Sequence, residues 1–149
     1  MKIAFVHLSD MHIQSVHDFI IPKCDKLISA CKTITNDCDK VVIIVSGDIA
    51  GSGKPSEYDV AYTYLKRIEE GLKRENHSLG EIDFIITPGN HDCLFADDSL
   101  RDLVIADLSK VDECCDSQKI DKALSVQDCF WSFYSKLLGR LPESKISSI

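Results

Sequence analysis

Ser9-Asp10-Met11-His12, Ser46-Gly47-Asp48 and Pro88-Gly89-Asn90-His91-Asp92 are three short polar clusters in a chain of 149 residues. Their carboxylates, imidazoles and amide oxygen form a mixed nitrogen and oxygen donor set. Such a set suits Mn, Fe, Zn or Mg better than a soft thiolate site does. Asp10 and His12 are two positions apart, so an extended turn presents both on one side. The Asp48 carboxylate has two oxygens and is able to bridge two cations. Gly47 and Gly89 allow sharp turns and a close approach of the backbone to an ion. Asp10, Asp48 and Asp92 would repel one another if gathered without cations. Taken singly, each is an ordinary turn or helix-cap residue. Taken together, the three clusters argue for a metal site.

Each cluster directly follows a short apolar run: Lys2–Leu8, Val41–Val45 and Ile82–Ile86. These runs have strand length, are rich in Ile, Val and Phe, and end in turn formers. They lack clean polar alternation, which predicts parallel strands covered on both faces. Helical periodicity fills the gaps. Cys24, Leu27, Ile28, Cys31 and Ile34 share one face after Pro22, which suits a first helical turn. Tyr58, Ala61, Tyr62, Leu65, Ile68 and Leu72 form a second stripe, with Ser56 as N-cap and Gly71 near its end. The order is β-α-β-α-β, an α/β pattern. Parallel strands end at a common edge, where sites are built. Asp10, His12, Asp48, Asn90, His91 and Asp92 are therefore expected to converge.

Two more helices are expected downstream. One carries Leu100, Leu103, Val104 and Leu108. The stronger carries Val126, Cys129, Phe130, Phe133, Tyr134, Leu137 and Leu138, stopped by Gly139 and Pro142. The polar segment 112–122 connects them. Three strands are few for a sheet covered on both faces. Residues 1–149 are expected to form a single domain, as the N-terminal part of a longer protein.

The balance of 17 Lys+Arg against 24 Asp+Glu gives a net charge of -7, which disfavours a simple basic nucleic-acid binder. No apolar run reaches the roughly 18 residues of a membrane span. The amino-terminal stretch lacks a small-residue cleavage site and reads as structure rather than a signal peptide. Seven cysteines at irregular spacing fit reduced thiols and a cytoplasmic location. Cys24 and Cys31 belong to a helix core, Cys38 lies past its end, and Cys114-Cys115 lack the spacing of a zinc or redox pair. Gly51-Ser52-Gly53-Lys54 fails as a phosphate loop, because Asp48 takes the first glycine position and Pro55 follows the lysine. It reads as a loop beside the metal site, with Lys54 assigned to a substrate phosphate. His7 is expected in the core or behind the ligands, His17 and His77 on surface loops, and Cys93 in buried packing. The Phe130, Trp131, Phe133 and Tyr134 stripe is expected to be core or a partner contact.

Asp10-x-His12, Gly47-Asp48 and Gly89-Asn90-His91-Asp92, in that order and each after a strand, resemble the calcineurin-like metallophosphoesterases. The resemblance covers roughly residues 2–95. It implies the first half of an α-β-β-α sandwich followed by additional helices. It also implies two divalent metal ions, with Asp10 and His12 on the first, Asp48 bridging, and Asn90 on the second. His91 would face the scissile phosphate and assist the leaving group, and Asp92 would orient His91. The implied reaction is hydrolysis of phosphomono- or phosphodiesters by metal-bound hydroxide, on a phosphate ester that includes nucleotides and nucleic acid. The stretch Ser46–Tyr58 is most similar to bacterial members, where such a domain often opens a larger protein, anti-phage defence proteins included.

The sequence also departs from that pattern. The family uses later histidines, in a Gly-His turn and a His-x-His pair, whereas the five histidines here are 7, 12, 17, 77 and 91. Many members carry another acidic residue after the second motif, where this chain has Ala50-Gly51-Ser52-Gly53. Three explanations stand open: an N-terminal fragment, ligands from the C-terminal half or another subunit, or a degenerate site. The rival functions are accordingly a non-catalytic module for assembly or ligand sensing, and a nuclease domain of a bacterial defence protein.

Overall fold

The computed structural model describes residues 1–75, 79–80, 82–95, 101–102, 105–106 and 124–140. Three apolar segments form strands β1 (Ile3–Leu8), β2 (Lys40–Ser46) and β3 (Ile82–Thr87). They make one parallel sheet in the order β1-β2-β3, with Val6 opposite Ile43 and Ile43 opposite Phe84. Helix α1 (Cys24–Thr35), preceded by a 3-10 turn (Ile21–Lys23), carries the chain from β1 to β2. Helix α2 (Pro55–Glu75) carries it from β2 to β3, and α3 (Asp128–Leu138) follows later. The fold is thus α/β, and each strand delivers its C-terminal end to one edge.

Ala4, Val6, Val41, Ile43 and Phe84 point to one face of the sheet and pack with Ile28 of α1 and Leu65 and Ile68 of α2. Each of the Val, Ile, Leu and Phe side chains contributes about 1.5–3 kcal/mol relative to exposure. The other face differs from the sequence expectation. Phe5 is 63% and Ile85 56% exposed. Burial alternates along β1 and β3, and Val42 in the central strand is covered. The reason is geometric: the crossover helices pack into one shared core, so among the described residues the strands that read as continuously apolar are covered by helices on one side.

Local details also shift. Pro22 lies in the 3-10 turn rather than in α1. Ile34, expected on the buried face of α1, is 68% exposed, because Thr35 takes that place after Cys24 and Ile28. Helix α2 begins at Pro55, so Ser56 is already inside its first turn and not the cap. Glu57 does the capping work instead. It is buried and accepts hydrogen bonds from Ser52 N (2.8 Å), Ser52 Oγ (2.7 Å) and Lys54 N (3.2 Å). Helix α3 ends at Gly139 in the left-handed region (φ 65°), as its sequence predicts. Phe130, Trp131 and Phe133 are buried in the core.

His77, Cys114-Cys115, the segment 112–122, Pro142 and the stripe residues Leu100, Leu103, Val104 and Leu108 lie outside the described residues. Among the described residues, no helix is long and apolar enough to cross a membrane.

Candidate metal centre

The chain leaves β1 through Ser9 and Asp10, and Met11 and Ile13 turn inward and are buried. That anchoring leaves Asp10 and His12 on the outer side, as a two-residue spacing predicts. The backbone is not extended there, however. Asp10 (φ 53°), His12 (φ 46°) and Asp48 (φ 52°) all adopt the left-handed region. Asp and His tolerate it better than most residues, yet each costs on the order of 1 kcal/mol or more. Tertiary contacts hold them. His12 N donates to Asp48 O (2.9 Å), Ile13 N to Ile49 O (2.9 Å) and Gly51 N to Ile13 O (3.0 Å). The first and second polar clusters are therefore zipped side by side.

The third cluster closes on the second through glycine. A Cβ on Gly89 would overlap the Asp48 carboxylate and backbone nitrogen. With glycine there, Asp48 Oδ1 accepts the His91 N–H at 2.9 Å. The ligating atoms of His12, Asp48 and His91 consequently lie within 4.8 Å of one another. The two imidazoles meet edge to face, with centroids 4.5 Å apart. Two nitrogens and one carboxylate oxygen at this spacing suit a borderline or hard divalent cation. His91 Nδ1 lies 3.0 Å from Gly51 O. A carbonyl only accepts, so Nδ1 carries the hydrogen and a neutral ring keeps its Nε2 lone pair free. The donor set thus fits a metal.

The other expected residues take different places. Asp10 stands at the border, its Oδ1 4.0 Å from His12 Nε2 and its Oδ2 accepting from Ser9 Oγ. Asn90 is exposed and opens the 3-10 turn that carries His91. Lys54 is exposed at the end of the loop that follows Asp48, at the start of α2. Asp92 does not take the orienting role expected of it. It is fully buried, and its two oxygens accept from Ile49 N (3.1 Å), Ala50 N (2.9 Å), Gly89 N (2.9 Å) and Tyr58 OH (3.0 Å). The contact that orients the His91 ring comes from the Gly51 carbonyl. Asp92 instead fastens the second loop to the third.

His7 is also placed differently: it is exposed, with Nε2 2.7 Å from Ser46 Oγ on the open side of the sheet. His17 is exposed in the loop after His12, as expected. There Asp18 accepts the Gln14 and Ser15 N–H groups, which hold its carboxyl below the usual range. Burial pushes the Cys93 thiol up, and its sulfur lies 3.8 Å from Gln127 Nε2. Gly53 (φ 70°) lies so close to the Cys93 carbonyl carbon that a Cβ there would stand 2.8 Å from it. Sequence reasoning missed the Gly51 carbonyl and the Tyr58 phenol. Backbone carbonyls leave no mark in residue types, and Tyr58 is indistinguishable from a core residue of its helical stripe.

The chain matches the calcineurin-like phosphoesterase family over residues 3–141. It is 30% identical over 155 aligned positions to YydB, a metallophosphoesterase-like protein of Bacillus subtilis (strain 168). That alignment covers 98% of this chain, which spans 30% of the length of the relative. No solved structure matches the chain.

Proposed function

This chain belongs to the calcineurin-like phosphoesterases, a metal-dependent family of hydrolases, and on that premise we propose that the rim binds two divalent cations and hydrolyses a phosphomonoester or phosphodiester. The observation that carries the reading is the gathering of His12, Asp48 and His91 within 4.8 Å from three separate loops. His12 and Asp48 are the central ligands, with Asp10 and Asn90 completing the set at either side. Bound cations supply positive charge to the phosphoryl oxygens and acidify a water molecule. That charge also admits an anionic ester to a chain of net charge -7.

His91 serves the leaving group. Its Nδ1–H is held by the Gly51 carbonyl, which points Nε2 at the departing oxygen; in the charged ring Nε2 carries a hydrogen and gives that oxygen a hydrogen bond and then the proton. Its backbone N–H on Asp48 Oδ1 ties that ring to the ligand loop. Lys54 is assigned to the substrate phosphate. The open face with Phe5 and Ile85 is the side on which the second half of an α-β-β-α sandwich would pack.

The clustering favours a second reading, in which His91 is itself a metal ligand. One experiment separates them: Mn²⁺-dependent hydrolysis of bis(p-nitrophenyl) phosphate, with Mn²⁺ affinity measured in parallel. His91→Ala is expected to lower turnover by about 100-fold or more, with affinity near that of the parent protein. A matching loss of affinity would make His91 a ligand. Turnover unchanged in His91→Ala would remove it from the reaction, and a parent protein that binds Mn²⁺ without turnover would favour a non-catalytic module.

A further inference from the structure

We infer that the Tyr58 hydroxyl sets the register between the loop that carries Asp48 and the turn that carries His91, and that α3 holds the phenol in place. Tyr58 is buried in the first turns of α2, and its OH donates to Asp92 Oδ1 at 3.0 Å. The same carboxylate receives the N–H groups of Ile49 and Ala50, immediately after Asp48, and of Gly89, two residues before His91. Four donors on two oxygens saturate the buried group, so the carboxylate has one arrangement rather than several. Burial, reinforced by the adjacent Asp92 carboxylate, keeps the phenol protonated and hence a permanent donor.

The ring is fixed from the far side. Phe133 of α3 stacks on it with centroids 5.1 Å apart, and Phe130 meets it edge-on at 6.4 Å. The start of the same region is fastened to the chain just past the third cluster: Leu94 N donates to Val126 O at 2.7 Å. The aromatic stripe of α3 thus reaches the candidate metal centre through one hydroxyl and one carboxylate. Tyr58 touches none of the proposed ligands. It is a positioning residue, and its bearing on metal binding rests on the function proposed above.

Tyr58→Phe keeps the stacked ring and removes only the donor. In the metal-free protein, the Ile49, Ala50 and Gly89 amides are expected to exchange with solvent about tenfold faster, while the Leu65 and Ile68 amides in α2 keep the parental rates. Mn²⁺ affinity is expected to fall about tenfold, the range for residues that orient ligands. A purely structural role would speed exchange throughout α2 and leave the affinity of the folded protein alone. Parental exchange at the three amides overturns the inference, as does accelerated exchange spread evenly over α2. If Tyr58→Phe does not fold, Phe133→Leu, which keeps the hydroxyl and removes its support, is read at the same amides by the same criterion. If the parent protein binds no Mn²⁺, the metal reading fails, while the amide rates still decide the role of Tyr58.

Discussion

Asp48→Asn is expected to weaken Mn²⁺ binding by at least about 100-fold and to reduce phosphodiester hydrolysis by about 100- to 1000-fold. The substitution is nearly isosteric. It keeps an oxygen to accept the His91 N–H, a 2.9 Å bond in the parent protein. What it removes is the negative charge and the second equivalent oxygen. Asp48 is the residue on which the three loops meet: its carbonyl accepts His12 N, its side chain accepts His91 N, and its left-handed backbone brings the carboxylate beside Gly89. Calorimetric titration of Mn²⁺ into the parent and variant chains reads the effect. An affinity loss below about threefold would mean that the carboxylate is not a ligand.

Asp92→Ala is expected to cost about 4 kcal/mol of folding stability, from two buried N–H groups and one half-buried N–H group left without an acceptor at about 1–3 kcal/mol each. Ile49, Ala50 and Gly89 donate those N–H groups, and Asp92 itself is fully buried. The Tyr58 hydroxyl also loses Oδ1, and the Asp92 backbone carbonyl, 3.2 Å away, stays as its acceptor. Such a loss takes a large share of the stability of an ordinary domain. With a urea m value of about 2 kcal/mol/M, the unfolding midpoint falls by about 2 M. A midpoint shift under about 0.5 M would show that the loops stay together without the carboxylate.

The parallel order of the strands and the edge at which their ends gather were legible in the sequence. Lys2–Leu8, Val41–Val45 and Ile82–Ile86 are apolar and strand-length, helical stripes separate them, and a parallel crossover leaves few alternatives. The meeting of His12, Asp48 and His91 follows from that topology. What stayed hidden depends on atoms rather than residue types. The left-handed backbone of Asp10, His12 and Asp48 arises from loop-to-loop hydrogen bonds that no local spacing encodes. Asp92 follows His91 directly, and the family resemblance implied that it orients His91. Its carboxylate instead lies inward, where four donors converge. Ser56 has the right side chain for a cap, but Pro55 starts the helix one residue earlier and Glu57 reaches back to fill that role. The open side of the sheet was misread because a run of Ile, Val and Phe carries no record of which face a helix covers.

The central claim is that side chains from three loops enclose a cation at one end of the sheet. Anomalous diffraction from crystals equilibrated with Mn²⁺ tests it most directly. A manganese peak within about 2–2.3 Å of both a His12 nitrogen and an Asp48 oxygen is the predicted result. Manganese bound at full occupancy elsewhere, with His12 and Asp48 making no contact to it, would contradict the account.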